Sequence, residues 1–88
     1  MGSQVFFPLL WEYINMDNIN KDSFGERLKY LRTERGLGQI ALAKELKVSK
    51  SVISLWELGG SDPTLSNLIK ISDFFDVSID FLAGKDER

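Results

Sequence analysis

Residues 39–59 read QIALAKELKVSKSVISLWELG, two short apolar-periodic runs with three residues between them. In the first run Leu42, Ala43 and Leu46 share one helical face. In the second, Ile53 and Trp56 share a face, with Val48 just ahead of them. Lys47-Val48-Ser49 is too short to be more than a tight turn, and Ser49 is a good N-cap for the second run. Two helices joined this closely make a helix-turn-helix. That arrangement needs a small residue where the backbones cross, and Ala43 supplies it. It also needs an apolar lock holding the second helix steeply against the first, and Val48, Ile53 and Trp56 supply that. Lys50, Ser51 and Ser54 are left on the outer side, short or flexible enough to enter the major groove of a duplex. The free N–H groups at both helix starts suit phosphate oxygens.

Outward from this pair, Ser23-Phe24-Gly25-Glu26 is a capping box. Phe24, Leu28 and Leu31 recur at helical spacing, predicting a helix over about 24–35 that Gly36 stops. Leu37 then returns to the core. Beyond the pair, residues 59–63, GGSDP, are a turn-rich loop. Thr64 caps a fourth helix whose inner face is read as Leu65, Leu68, Ile69, Ile71 or Ser72, and Phe75, ending at Asp76-Val77. Ser78 caps a last short helix, 79–83, stopped by Gly84. No hairpin signal, internal repeat or low-complexity tract is present. The fold class is all-α, five short helices over residues 23–84. Residues 1–22 form an N-terminal extension and residues 85–88 a tail.

The extension carries the apolar run VFFPLLWEYI at residues 5–14. Pro8 suits the first turn of a helix, so this run is a candidate short helix. A helix apolar nearly all round should not sit free in water. It is expected to dock on the bundle, on a second copy or on a protein partner. Met16 is an alternative natural start, which would leave residues 1–15 outside the native chain.

Eighty-eight residues suit one small domain. The chain has no cysteine and no histidine, which removes disulfides, thiolate or imidazole metal sites and Ser-His or Cys-His catalysis. No acid–base or nucleophile constellation is present, so neither catalysis nor a cofactor is expected. No apolar run is long enough to span a membrane, and the expected location is cytoplasmic. The formal net charge is −2 but is unevenly spread. Residues 1–23 carry −2, residues 24–60 carry +3 and residues 61–88 carry −3. Only the middle segment, with Arg27, Lys29, Arg32, Arg35, Lys44, Lys47 and Lys50, would attract a polyanion.

Residues 24–84 resemble the Xre family, the Cro- and lambda-repressor-like helix-turn-helix regulators. The phrases that carry the resemblance are RLKYLRTERGLGQIALAKELKVSKSVISLWELG and DPTLSNLIKISDFFDVSIDFLAG, in order and in register. The resemblance implies a five-helix lambda-repressor-like DNA-binding domain and a sequence-specific regulator of transcription, a repressor occupying a double-stranded operator. It implies that Gln39 binds a phosphate or reaches the groove edge and that Ser49 binds phosphate. Lys50, Ser51, Ser54 and Leu55 would then face the bases. Lys50 could donate to guanine, the serines could pair with several base edges, and Leu55 could meet only a thymine methyl. A plain solvated lysine at Lys50, and a plain N-cap at Ser49, are the structural alternatives.

The chain departs from the family pattern in several places. Gly38 stands where a hydroxyl residue is common, and Leu55 and Leu58 stand where polar or basic ones are. Lys47 occupies a turn position that often holds glycine. If that residue is left-handed it costs about 1 kcal/mol, recoverable by a phosphate contact. With anchors missing and Asp62 near the groove, binding per monomer is expected to be weak and steeply salt-dependent. The family implies a homodimer through Phe74, Val77, Ile79, Phe81 and Leu82, with plain core the favoured reading for Phe74, Phe81 and Leu82. A rival reading is an antitoxin-like or other protein-interaction module, using the apolar extension and an exposed patch at Ile40, Leu55 and Leu58.

Overall fold

The computed structural model describes residues 23–85. The extension, residues 1–22, and residues 86–88 lie outside them, together with the expectations placed on those segments. Five helices succeed one another in order: α1 (Phe24–Glu34), α2 (Gln39–Leu46), α3 (Lys50–Leu58), α4 (Leu65–Phe75) and α5 (Ile79–Ala83). No strand occurs among the described residues.

Each start has a local cause. Ser23, Ser49, Thr64 and Ser78 each accept a backbone N–H from three residues on, satisfying a donor that the first turn leaves open. Of these five helices only α2 lacks a side-chain cap, because its cap residue is Gly38. The ends are equally uniform. Gly36, Lys47, Gly59, Asp76 and Gly84 all have positive φ. Behind each, the next residue's N–H reaches back five residues: Leu37 to Arg32, Val48 to Ala43, Gly60 to Leu55, Val77 to Ser72 and Lys85 to Asp80. This is the Schellman closure, which reverses the chain at once and joins five short helices by brief turns.

Leu28, Leu42, Ala43, Leu46, Ile53, Trp56, Ile71, Phe75 and Leu82 form one buried cluster to which every helix contributes. Fully burying a side chain of this size contributes roughly 1.5–3 kcal/mol. One expectation needs correction. Leu65 and Ile69 are exposed, and the inner face of α4 is Leu68, Ile71 and Phe75. At about 100° per residue, Leu65 and Ile69 sit roughly 90° and 130° from the centre of that stripe, too far round to reach the core. Leu82 is completely buried, in keeping with its favoured reading as plain core.

Long cationic side chains tie the elements together. Arg27 is only 2% exposed. It lies over the Phe81 ring at 4.6 Å and donates to the Phe81 carbonyl at 2.9 Å, fastening α1 to α5. Lys70 Nζ donates to the Leu46 carbonyl at 2.7 Å, closing the C-terminus of α2 from α4. Arg35 stands over the rings of Phe74 and Phe75. Arg27 therefore leaves the set of charges expected to face a polyanion, because its guanidinium is committed inside the fold.

Gly25 permits a very close approach of two helices. A Cβ there would lie 2.4 Å from the Trp56 carbonyl oxygen and 2.7 Å from that of Glu57. The N-terminus of α1 thus rests directly on the last turn of α3. Phe24 meets the Trp56 ring edge-on beside it, centroids 6.1 Å apart.

Candidate nucleic-acid interface

The turn between α2 and α3 sets the interface. Lys47 adopts φ 60°, ψ 46°, and Val48 then donates to the Ala43 carbonyl at 3.0 Å. Val48 packs on the core while Lys47 points outward. Ser49 is extended, at φ −82°, ψ 157°, and its Oγ accepts the Val52 N–H at 3.1 Å. Its hydroxyl proton stays free to donate, so the serine can cap the helix and still bind an anionic oxygen. With the Val52 N–H taken by Ser49, the N–H groups of Lys50 and Ser51 are the first-turn donors of α3 left without an intrahelical acceptor.

Ile53 and Trp56 anchor α3 from below, wholly or almost wholly buried. The opposite side of the helix therefore faces out. Lys50 and Ser51 are exposed, Ser54 is half-buried, and Leu55 is 47% exposed with Cδ2 leaning over Gly60. Lys50 and Ser54, and Ser51 and Leu55, are neighbours one turn apart on this surface. Leu58 extends the stripe and is 81% exposed. Together with the adjoining turn, the arrangement gathers Lys47, Ser49, Lys50, Ser51, Ser54 and Leu55 around the N-terminal half of α3.

Gln39 is placed differently. It is half-buried at the start of α2, and its Nε2 donates to Glu57 Oε1 at 3.0 Å, against the other end of α3. The second proton of the same amide remains available to a phosphate. The Glu57 side chain is 4% exposed. It also takes a bidentate pair from Arg32, Nε to Oε2 at 2.6 Å and Nη2 to Oε1 at 2.9 Å. Arg32 Nη1 closes the set on the Leu37 carbonyl at 2.9 Å. Hydrogen bonding to Glu57 holds the guanidinium above its ordinary basicity, partial burial works against this, and the charge of Glu57 adds to the first effect. The Arg32–Glu57 pair thus joins α1, the turn before α2, the first residue of α2, and α3.

Sequence reasoning gave Glu57 no role at this site and counted Arg32 only among the bases that would attract a polyanion; its pairing with Glu57 takes it out of that set. A signal was present: an acid directly after a core tryptophan lies at the border of the buried face, where it needs a cationic partner. Only a structure could identify which arginine that was.

Three packed helices, with α3 held from below and its short polar residues facing out, define a helix-turn-helix domain. The helix-turn-helix family model matches residues 28–82, and the chain belongs to this family, in its Xre, Cro-like branch. Residues are 45% identical over 64 positions to the transcriptional activator BcrR of Enterococcus faecalis, covering 73% of this chain and 31% of that protein. The transcriptional regulator ImmR of Bacillus subtilis is 38% identical over 65 residues, 74% of this chain and 51% of its own length. DicA of Escherichia coli is also 38% identical over 65 residues, with shares of 74% and 48%. The chain thus spans about half the length of these curated relatives, or less. Among solved structures, the P22 c2 repressor in complex with a synthetic operator superposes with a TM-score of 0.69 at 34% identity, covering 73% of this chain and 97% of that one. These similar proteins carry names of transcription regulators, not of enzymes.

Proposed function

We propose that residues 23–84 are a sequence-specific reader of double-stranded DNA that regulates transcription by occupying an operator. The observation that carries this reading is the exposed edge of α3, with Lys50 and Ser51 outermost over a helix locked from beneath by Ile53 and Trp56. In a duplex major groove, Lys50 donates to guanine O6 or N7, Ser51 and Ser54 pair with base edges, and Leu55 covers a thymine methyl. Ser49, Lys47, the open N-terminus of α2 and the free Gln39 proton take phosphates and set the register. The similarity to a repressor solved on its operator supports this docking.

Occupying an operator excludes other proteins from the same duplex, which makes repression the direct outcome. The relative named as an activator carries the same domain, so the sign of regulation depends on where the site lies. One such face contacts few base pairs, and a homodimer would set two reading helices about 34 Å apart on the duplex. Phe74, Val77, Ile79 and Phe81 are half-buried and remain candidates for that contact. No helix among the described residues is long and apolar enough to cross a membrane, and we place the protein in the cytoplasm, with the DNA.

The test is selection of a binding sequence from a random duplex library, then measurement of Lys50→Ala and Ser51→Ala on it. Each loses about 1–3 kcal/mol of specific binding per base contact, while nonspecific binding stays near the parent's. If both variants hold the selected sequence as tightly as the parent, α3 is not the reader. A second reading, an antitoxin-like protein-interaction module, is favoured by the exposed Ile40, Leu55 and Leu58. That reading predicts a library that yields no enriched sequence.

A further inference from the structure

A cleft of about 280 Å³ opens between α1, α4 and α5, lined by Phe24, Asp62, Pro63, Leu68, Leu82 and Ala83. Five of those six side chains are apolar. The volume lies at the small end of the roughly 300–1,000 Å³ of small-molecule sites, and with one polar lining side chain it suits one or two large apolar side chains. Neither α2 nor α3 contributes to it. Phe24, on its wall, is the residue next to Ser23, where the described chain begins.

We propose that this cleft is the seat of the chain's own apolar segment, residues 5–14, docked in cis. That segment, VFFPLLWEYI, carries a single charge, Glu12. Residues 15–22 link it to Ser23, and eight extended residues span at most about 26–29 Å. The tether therefore starts at the cleft wall and is long enough to turn back over it. A segment held this way meets its site at an effective concentration in the millimolar range, far above that of a second copy in dilute solution. Seating a Leu, Phe or Trp side chain removes apolar surface from water on both sides of the contact. Because no residue of α3 lines the cleft, and its outer residues lie opposite the buried Ile53 and Trp56, the docked segment leaves the reading edge open.

Trp11 reports the docking directly. Trp56 is 2% exposed, so the difference in acrylamide quenching between the full chain and its Trp11→Phe variant isolates Trp11. The expected result is a Trp11 quenched severalfold less than a free indole, unchanged on dilution. Ala83→Arg and Pro63→Glu, which put charge into the cleft from an exposed helix end and from a loop, should each release it to full quenching. Far-UV circular dichroism checks that both remain helical. Leu58→Arg, on the exposed end of α3, should leave Trp11 shielded. The proposal is overturned by a fully quenched Trp11 in the parent chain. It is equally overturned by shielding that disappears on dilution, which assigns the segment to a second copy, or by release with Leu58→Arg instead of the cleft variants. DNA affinity is no part of this readout, so either proposal can fail alone.

Discussion

Lys47 shows how a single position divides stability from binding. A residue with a Cβ at φ 60°, ψ 46° strains against its own carbonyl, and glycine does not. Lys47→Gly is therefore expected to stabilise the fold by about 1 kcal/mol, read as a higher midpoint in urea. The same change removes an exposed cation beside the start of α3. DNA affinity should fall, and the slope of log K against log salt should shrink by about one. A variant that is more stable and binds as tightly, with the same slope, would remove Lys47 from the interface. Gly25 is the opposite case, since its missing side chain is filled by the backbone of α3. Gly25→Ala forces α1 off Trp56 and Glu57 and should cost about 2 kcal/mol or more in urea unfolding.

At the scale of elements, the orientation of α3 depends on a contact no helix makes alone. Apolar burial of Ile53 and Trp56 fixes its depth, but apolar contact is non-directional. The bidentate bond from Arg32 to Glu57, with Gln39 on the same carboxylate, adds direction and fixes rotation about the helix axis. Arg32→Ala leaves a nearly buried carboxylate without its cation and should cost about 3 kcal/mol, the lower end for breaking such pairs because Arg32 keeps a solvent edge. Arg32→Met with Glu57→Leu should recover most of that stability without restoring DNA affinity. Recovery of both would mean that packing alone orients α3.

For the whole molecule, charge placement matters more than charge count. Seven bases lie in residues 24–60, but Arg27 is buried against Phe81 and Arg32 is paired with Glu57. Of the other five, Lys29 belongs to α1 and Arg35 stands over the Phe74 and Phe75 rings; those on the α2–α3 unit itself are Lys44, Lys47 and Lys50, all exposed. At about 0.9 per phosphate, they limit the salt slope to roughly −3 per domain, shallower than the count of bases in the sequence suggests. Titrations at several salt concentrations measure it, and a slope near −6 per domain would require phosphate contacts elsewhere. Alkaline pH tests another part of the fold. Burial first, and Glu34 second, raise the Tyr30 hydroxyl above its ordinary 10.0. The folded chain holds that proton more tightly than the unfolded one, so the contribution is intact below about pH 10 and is lost as pH rises through the folded value. Tyr30→Phe should therefore lose less stability than the parent above about pH 10, in urea melts across that range.

Local chemistry alone determined where residues 23–85 are helical. Ser23, Ser49, Thr64 and Ser78 announce four starts, Gly36, Gly59 and Gly84 announce three stops, and the 3.6-residue period between them marks Leu28, Leu42, Ile53, Trp56 and Ile71 as core. Each of these signals lies within a few residues of what it controls, so a linear reading can use it. The exposed edge of α3 was legible for the same reason, being the complement of its apolar face. Tertiary structure decided the rest. Whether Leu65 and Ile69 reach the core depends on how far α4 is rotated against its neighbours. Whether Arg27 and Arg32 face a polyanion depends on Phe81 and Glu57, 54 and 25 positions away. Those pairings arise only when separate helices are brought together, because a charge's surroundings belong to the packed molecule and not to its place in the chain.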